Sequence, residues 1–462
     1  MNSKLKLLLK NLYGGLSLVF FAFATIFLYS CGSTKNTVAA PSEVSEFSKK
    51  QLSNGIPVIF KQNRGSKIVV LKMVFEGGTS AIDRTMSGIE NLTLDLMLRG
   101  SEKYPYAKIQ QLEYEKSFSF SSSSGKDYST IGFVCIQRDL AEVLDIFSEC
   151  LMHPQFLESD FNQKMVEAAS AISARKADPS GALGTAITKS VFKNHPYETS
   201  SLITEDSLPN IKLNLVLGTY QELLSALRIK IIVVGNFNSE LINDFTGELE
   251  ASFGSIQRKA FSLPKIPKVF VNAETLRIAN EQAGDTGYVA GLFSCPSRND
   301  ADYIPFAIAT MYLDDLLFSQ VREKAGAVYS INTGVLGGKE FVAVLSGYKV
   351  TDKENFKKAV FDTILSYDEK AIEQKLSQYK NKYISSLFSS SQSASGVASN
   401  IISSIEYYGA EDAYMHRVDS VQSVNARQVI DAYKKYVLPV AQRNNAQWVI
   451  VDGKDNLQKY DF

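Results

Sequence analysis

The chain has 462 residues, 45% of them hydrophobic and 21% charged, and its 49 basic and 49 acidic side chains cancel. That balance excludes an electrostatic nucleic-acid binder, which needs a basic excess. The length fits two or three domains of roughly 100–200 residues, and four cysteines without close spacing, Cys31, Cys135, Cys150 and Cys295, exclude a disulfide framework.

At the N-terminus Lys4, Lys6 and Lys10 precede an apolar run over residues 16–29 that ends in Leu28-Tyr29-Ser30-Cys31. The run is shorter than the roughly 20 residues a spanning helix needs. It resembles a bacterial lipoprotein leader, residues 1–30, cut before Cys31, which then carries the lipid. The polar residues 31–47 read as a tether. Gly32 and Ser33 lack the aspartate that retains some lipoproteins at the inner membrane, so the expected location is the cell envelope with the outer membrane preferred.

After an Asn54-Gly55 turn, strands are expected up to residue 60 and over 67–75, ending at Gly77-Gly78. A helix follows over 87–97, then strands over 118–124 and 130–136 around Gly125-Lys126-Asp127, and helices over 140–151 and 159–175, the second stopped by Asp178-Pro179. A strand over 229–236 and a helix over 239–253 close this half. Residues 258–270, with two prolines and only positive charges, read as a linker between domains at 48–257 and 271–462. The second half repeats the order: a strand over 287–293, a helix over 304–322, strands over 327–336 and 341–350, helices over 352–366 and 368–387, and a last strand from Gln447 to Asp452. Serine-rich residues 389–404 carry Ala, Val and Ile at intervals that predict a closely packed helix. The fold class is therefore α+β: two similar domains, each a mainly antiparallel sheet covered on one face by helices.

The segment from Ser87 to Pro105 keeps a Gly before a helix, an apolar run along it, and Gly100, Ser101, Lys103, Tyr104 and Pro105 after it. This frame resembles the one that carries the inverted zinc motif, His-x-x-Glu-His, of the insulinase/pitrilysin-type metallopeptidases. Registered on the flanks, Asn91 and Asp95 stand where that family has its two histidines, and Leu94 where it has the glutamate that activates water. The family's third ligand, a glutamate about two turns before an Asp-Pro pair, falls at Ala171, with Glu167 one turn earlier. Oxygen donors from Asn91, Asp95 and Glu167 would suit calcium better than zinc, but a polar helix face without metal is the preferred reading. The three histidines are far apart in the chain, and His195-Pro196-Tyr197 resembles a His-Pro-Tyr turn of the family.

A second segment, Arg322-Glu323-Lys324-Ala325-Gly326-Ala327-Val328-Tyr329-Ser330, resembles the family signature Arg-Glu-Lys-x-Gly-x-x-Tyr-Ser. The resemblance implies substrate-binding roles for Arg322 and Tyr329, on the peptide backbone and on the oxyanion formed when water attacks the carbonyl. Tyr312-Leu313-Asp314-Asp315-Leu316 departs from the Gly-rich turn the family often has before this helix. The expected protein is a lipid-anchored, non-catalytic half-enzyme that binds no metal itself. Its implied partner is a zinc-bearing insulinase-type half-enzyme, in a heterodimer acting on peptides. The alternative is an envelope peptide-binding or scaffold protein with no peptidase in its complex, and the polar strand at 118–121 could pair with an extended peptide in either case.

Overall fold

A computed structural model describes residues 46–462. Cys31, the leader and almost all of the tether lie outside the described residues. Among the described helices none is long and apolar enough to cross a membrane.

The first half opens with a hairpin of β1 (Phe47–Gln51) and β2 (Pro57–Gln62), whose turn needs Gly55 at φ 90°. Then come β3 (Ile68–Glu76), α1 (Ile89–Met97), α2 (Tyr106–Lys116), β4 (Ser119–Ser124), β5 (Tyr128–Ile136), α3 (Leu140–Met152), α4 (Glu158–Ala177), α5 (Pro179–Val191), α6 (Leu213–Leu223), β6 (Ile229–Gly235) and α7 (Ser239–Phe253). Residues 256–274 carry neither helix nor strand. The second half contains β7 (Thr275–Ala279), β8 (Gly287–Phe293), α8 (Tyr303–Leu317), β9 (Val328–Gly337), β10 (Phe341–Val350), α9 (Lys353–Leu365), α10 (Glu369–Ser390), α11 (Ala394–Tyr408), α12 (Arg417–Ser423), α13 (Ala426–Ala432), α14 (Leu438–Gln442) and β11 (Gln447–Asp452).

The two sheets repeat one plan. The first has the order β1-β2-β6-β3-β5-β4 and the second β7-β11-β8-β10-β9. Without β1 they superimpose in topology, including one parallel pair in each, β2 with β6 and β7 with β11, beside otherwise antiparallel neighbours. The expectation of two similar α+β halves with mainly antiparallel sheets is met.

Where the structure goes further is the second face of each sheet. Side chains alternate along a strand, and β6 sends Ile229, Ile231 and Val233 into one core and Ile232 and Val234 into another. The first core is closed by helices of the same half, among them α1, α3 and α7. The second is closed by Ala394, Ala398, Ile401 and Ile402 of α11, from the other half of the chain. The relation is reciprocal: β11 points Trp448 and Ile450 at its own helices, and Val449 and Val451 at Leu183, Ala186, Ile187 and Val191 of α5. Each half thus lends one helix to the other's sheet, at roughly 1.5–3 kcal/mol for each large apolar side chain fully buried. Helices were expected on one face only, and the serine-rich helix proves to be α11, its small residues set against the first sheet. Asp178-Pro179, read as a stop, is also a start: the Asp178 carboxylate accepts from the Gly181 N–H at 2.7 Å and Pro179 opens α5.

Candidate functional site

The helix that would carry a zinc motif is α1, and its entry is tightly specified. Gly88 takes φ 85°, its N–H donates to Ser200 O at 3.0 Å, and a Cβ there would meet the Ile203 backbone nitrogen at 2.3 Å. Along α1, Leu92, Leu94, Leu96 and Met97 are buried, while Asn91 and Asp95 are half-buried. Asp95 pairs with Lys164 of α4, its Oδ2 lying 2.7 Å from Nζ, and the same ammonium is 3.2 Å from Glu167 Oε2. Gln163 donates to Glu167 at 2.9 Å, and this bond together with Lys164 holds the Glu167 carboxyl below the usual range. Burial opposes the charge on Lys164, yet Asp95 and Glu167 outweigh it and raise its pKa. Ala171, one turn further along α4, is exposed.

These residues do not fit zinc. The face offers one amide and one carboxylate already neutralised by a lysine, and Leu94 can accept no proton. Among the described residues no three His, Cys, Asp or Glu side chains converge as a metal cluster. His195 is committed elsewhere: Nδ1 accepts from the Tyr197 N–H at 3.0 Å, so Nε2–H donates to Pro267 O at 2.9 Å and ties this turn to the segment between the halves. Burial pushes the thiols of Cys135, Cys150 and Cys295 up to about 12, far from a reactive thiolate.

Two arrangements escaped the sequence reading. Glu90, one residue before Asn91, is 2% exposed; it accepts from Arg228 Nη2 at 2.7 Å and from the Ser129 hydroxyl. Arg228 also donates from Nε to Glu76 O at 2.7 Å and lies 4.6 Å from the Phe261 ring. This pair ties α1 to the sheet. Asp127 accepts from the Tyr197 hydroxyl at 2.5 Å and from the Lys339 N–H at 2.8 Å, which fastens the β9–β10 turn to the first half. Beside it burial pushes the Lys126 ammonium down to about 8 against the pull of Asp127, while it donates to Tyr197 O and Thr199 O at 2.6 and 2.8 Å. The His-Pro-Tyr turn was the one visible sign of this latch.

The second signature is presented quite differently. α8 runs into a π-helical turn, Phe318–Lys324, and Gly326 at φ 61° turns the chain into β9, the edge strand of its sheet. The Arg322 guanidinium carbon lies 4.7 Å from the centre of the Phe318 ring and 5.7 Å from that of Tyr329; Lys349 Nζ is 5.6 Å from the Tyr329 ring. Tyr329 is 68% exposed, so it is not a packed strand residue. Asp314 anchors the strand, accepting from the Thr333 N–H at 2.6 Å, and burial pushes its carboxyl up to about 6. In the first sheet β4 is the corresponding edge, its serines alternating between exposed and half-buried.

Residues 57–205 match the family described as Insulinase (Peptidase family M16), and residues 210–383 match Peptidase M16 inactive domain. The chain belongs to the insulinase family. Over 181 residues, 39% of this chain and 42% of the relative, it is 19% identical to a protein named Non-peptidase homolog YmxG from Helicobacter pylori. A peptidase M16 inactive domain from Pseudomonas fluorescens superimposes with a TM-score of 0.76 at 18% identity, covering 88% of this chain and 98% of that one. The periplasmic protease PqqL from Escherichia coli gives 0.72 at 15% identity, covering 98% of this chain; the chain spans 51% of PqqL. Within the insulinase family this is a half-enzyme of the non-catalytic kind.

Proposed function

We propose that this chain is the non-catalytic subunit of an insulinase-type peptidase complex at the cell envelope, anchored by lipid at Cys31. It lends Arg322 and Tyr329 to the active chamber of a zinc-bearing half-enzyme. The observation that carries the reading is an asymmetry: the motif helix is closed by Lys164, while Tyr329 stands exposed on an edge strand with the half-buried Arg322 guanidinium beside its ring. A guanidinium and a phenol there can donate to a peptide carbonyl, and to the oxyanion that develops when the partner's water attacks it. The chain alone is expected to cleave no peptide.

The test is capture of the lipidated protein from its native membrane, followed by reconstitution with the captured half-enzyme. Recovery of a homologue with an intact His-x-x-Glu-His, and a peptidase rate that falls on the order of a hundredfold with Arg322→Ala, supports the proposal. A rate indifferent to that substitution overturns the role of Arg322. The free β4 edge favours a second reading, a peptide-binding scaffold pairing extended chains through main-chain hydrogen bonds. Capture of envelope proteins without any peptidase homologue would favour it.

A further inference from the structure

Away from both motif segments, a cavity of about 450 Å3 opens between α8, α11, α12 and α13, lined by Arg298, Tyr303, Tyr408, Arg417, Ser420 and Gln428. Its two guanidinium groups are held in place but left unneutralised. Arg298 lies between the Phe341 and Tyr407 rings, its carbon 4.7 and 4.6 Å from their centres. Its Nε donates to Gly338 O at 3.0 Å and Nη1 to the Tyr303 hydroxyl at 3.3 Å. Arg417 rests 4.9 Å from the Tyr408 ring and donates to that hydroxyl. A guanidinium carries five N–H groups, so most of those on each arginine are unused among the described residues.

Among the described residues the arginines paired with a carboxylate are Arg84, Arg138, Arg228, Arg322 and Arg427; Arg298 and Arg417 are not among them. Neither acidic neighbour is paired with these arginines among the described residues. Asp300, at the rim, accepts from the Asp302 N–H at 2.9 Å, and Asp302 is held by Lys435 at 2.7 Å and the Tyr436 hydroxyl at 3.0 Å. Both arginines act on one phenol: burial raises the Tyr303 pKa, and the charges of Arg298 and Arg417 oppose it. Two like charges around one cavity repel, and fixed forks with free N–H groups match the oxygens of an anion.

We infer that this cavity binds an oxyanion, a carboxylate or a phosphate, between Arg298 and Arg417, with the tyrosine rings as its walls. The experiment is a titration of the full chain with inorganic phosphate, and separately with succinate, at constant ionic strength made up with chloride. Unfolding temperature and heat of binding are both followed. A saturable response to either anion is expected, and the anion that gives it identifies the chemistry. Arg417→Met should weaken that binding roughly tenfold or more, the worth of a charge-assisted bond. Among the described residues its side chain donates to Tyr408 alone, so the variant should fold, and circular dichroism checks this. Arg298→Lys keeps the charge and loses the fork, and should also weaken it. No saturable response to either anion, or one that both variants leave unchanged, overturns the site.

Discussion

Lys164 sets its ammonium between two carboxylates, 2.7 Å from Asp95 and 3.2 Å from Glu167, on the face where the resemblance of the motif frame would put zinc ligands. A side chain of the protein therefore supplies the positive charge that these carboxylates need. Loss of the histidines alone would leave an acidic face open to other cations; the lysine closes it.

Restoring the two histidines should not be enough to restore zinc binding. Asn91→His with Asp95→His is expected to bind zinc weakly. Adding Lys164→Met should tighten binding roughly tenfold or more, since two unit charges about 4 Å apart near a surface interact by about 4 kcal/mol. Competition against a chromophoric chelator measures both affinities. Equal values would show that the ammonium does not guard the face.

The buried pair of Glu90 and Arg228 is expected to dominate the stability of the first half. Both side chains are almost fully buried, so Glu90→Gln or Arg228→Met leaves a charge without its partner, at a cost of about 3–5 kcal/mol. Urea unfolding should show the loss for each single variant and much less than the sum for the double. Additive losses would mean that the two do not act as a pair.

Arg322→Ala and Tyr329→Phe should leave the fold alone. Tyr329 is open to solvent, Arg322 is half-buried against the Phe318 and Tyr329 rings, and its contact with Glu323 is long at 3.7 Å. Changes within about 0.5 kcal/mol are expected, read as unchanged urea midpoints. A large destabilisation would mean that the segment is a packing element, and any activity loss in a reconstituted complex would lose its meaning.

Asp314 should make stability depend on pH in acid. Its carboxyl titrates near pH 3.8 when unfolded and at about 6 when folded. Between those values the native state holds a proton that the unfolded chain has released, so this contribution is complete below about pH 4, declines as pH rises, and is flat above about 6. Asp314→Asn keeps an acceptor for the Thr333 N–H and cannot titrate. The stability difference between the parent and this variant should therefore shift against the parent from pH 4 to 6 and then stay constant. A difference independent of pH over that range would refute the assignment.

What could be read in advance was whatever is local. The helix at 239–253 is legible because its apolar period, its Asn238 cap and the Gly254 at its end all lie within one stretch of chain. The motif frame around α1 is legible for the same reason. Long-range partners are not: the Arg228 partner of Glu90 is 138 positions away, and the Lys164 contact needs α4 laid against α1. α5 was missed because its Gly and Thr residues weaken the helical period and Pro179 speaks for both an end and a beginning. The Arg298 and Arg417 cavity has no sequence signature at all, since its walls come from four separate elements.

The exchange of α5 and α11 has a consequence in time. The face of β6 that carries Ile232 and Val234 is covered by α11, so the chain must be synthesised as far as Ile402, 167 residues (402 − 235) beyond the end of that strand, before the cover is complete. At roughly 5–20 residues per second this leaves Ile232 and Val234 uncovered for on the order of ten to thirty seconds. The first sheet is begun early and finished late, its second face waiting on a helix from the far half of the chain.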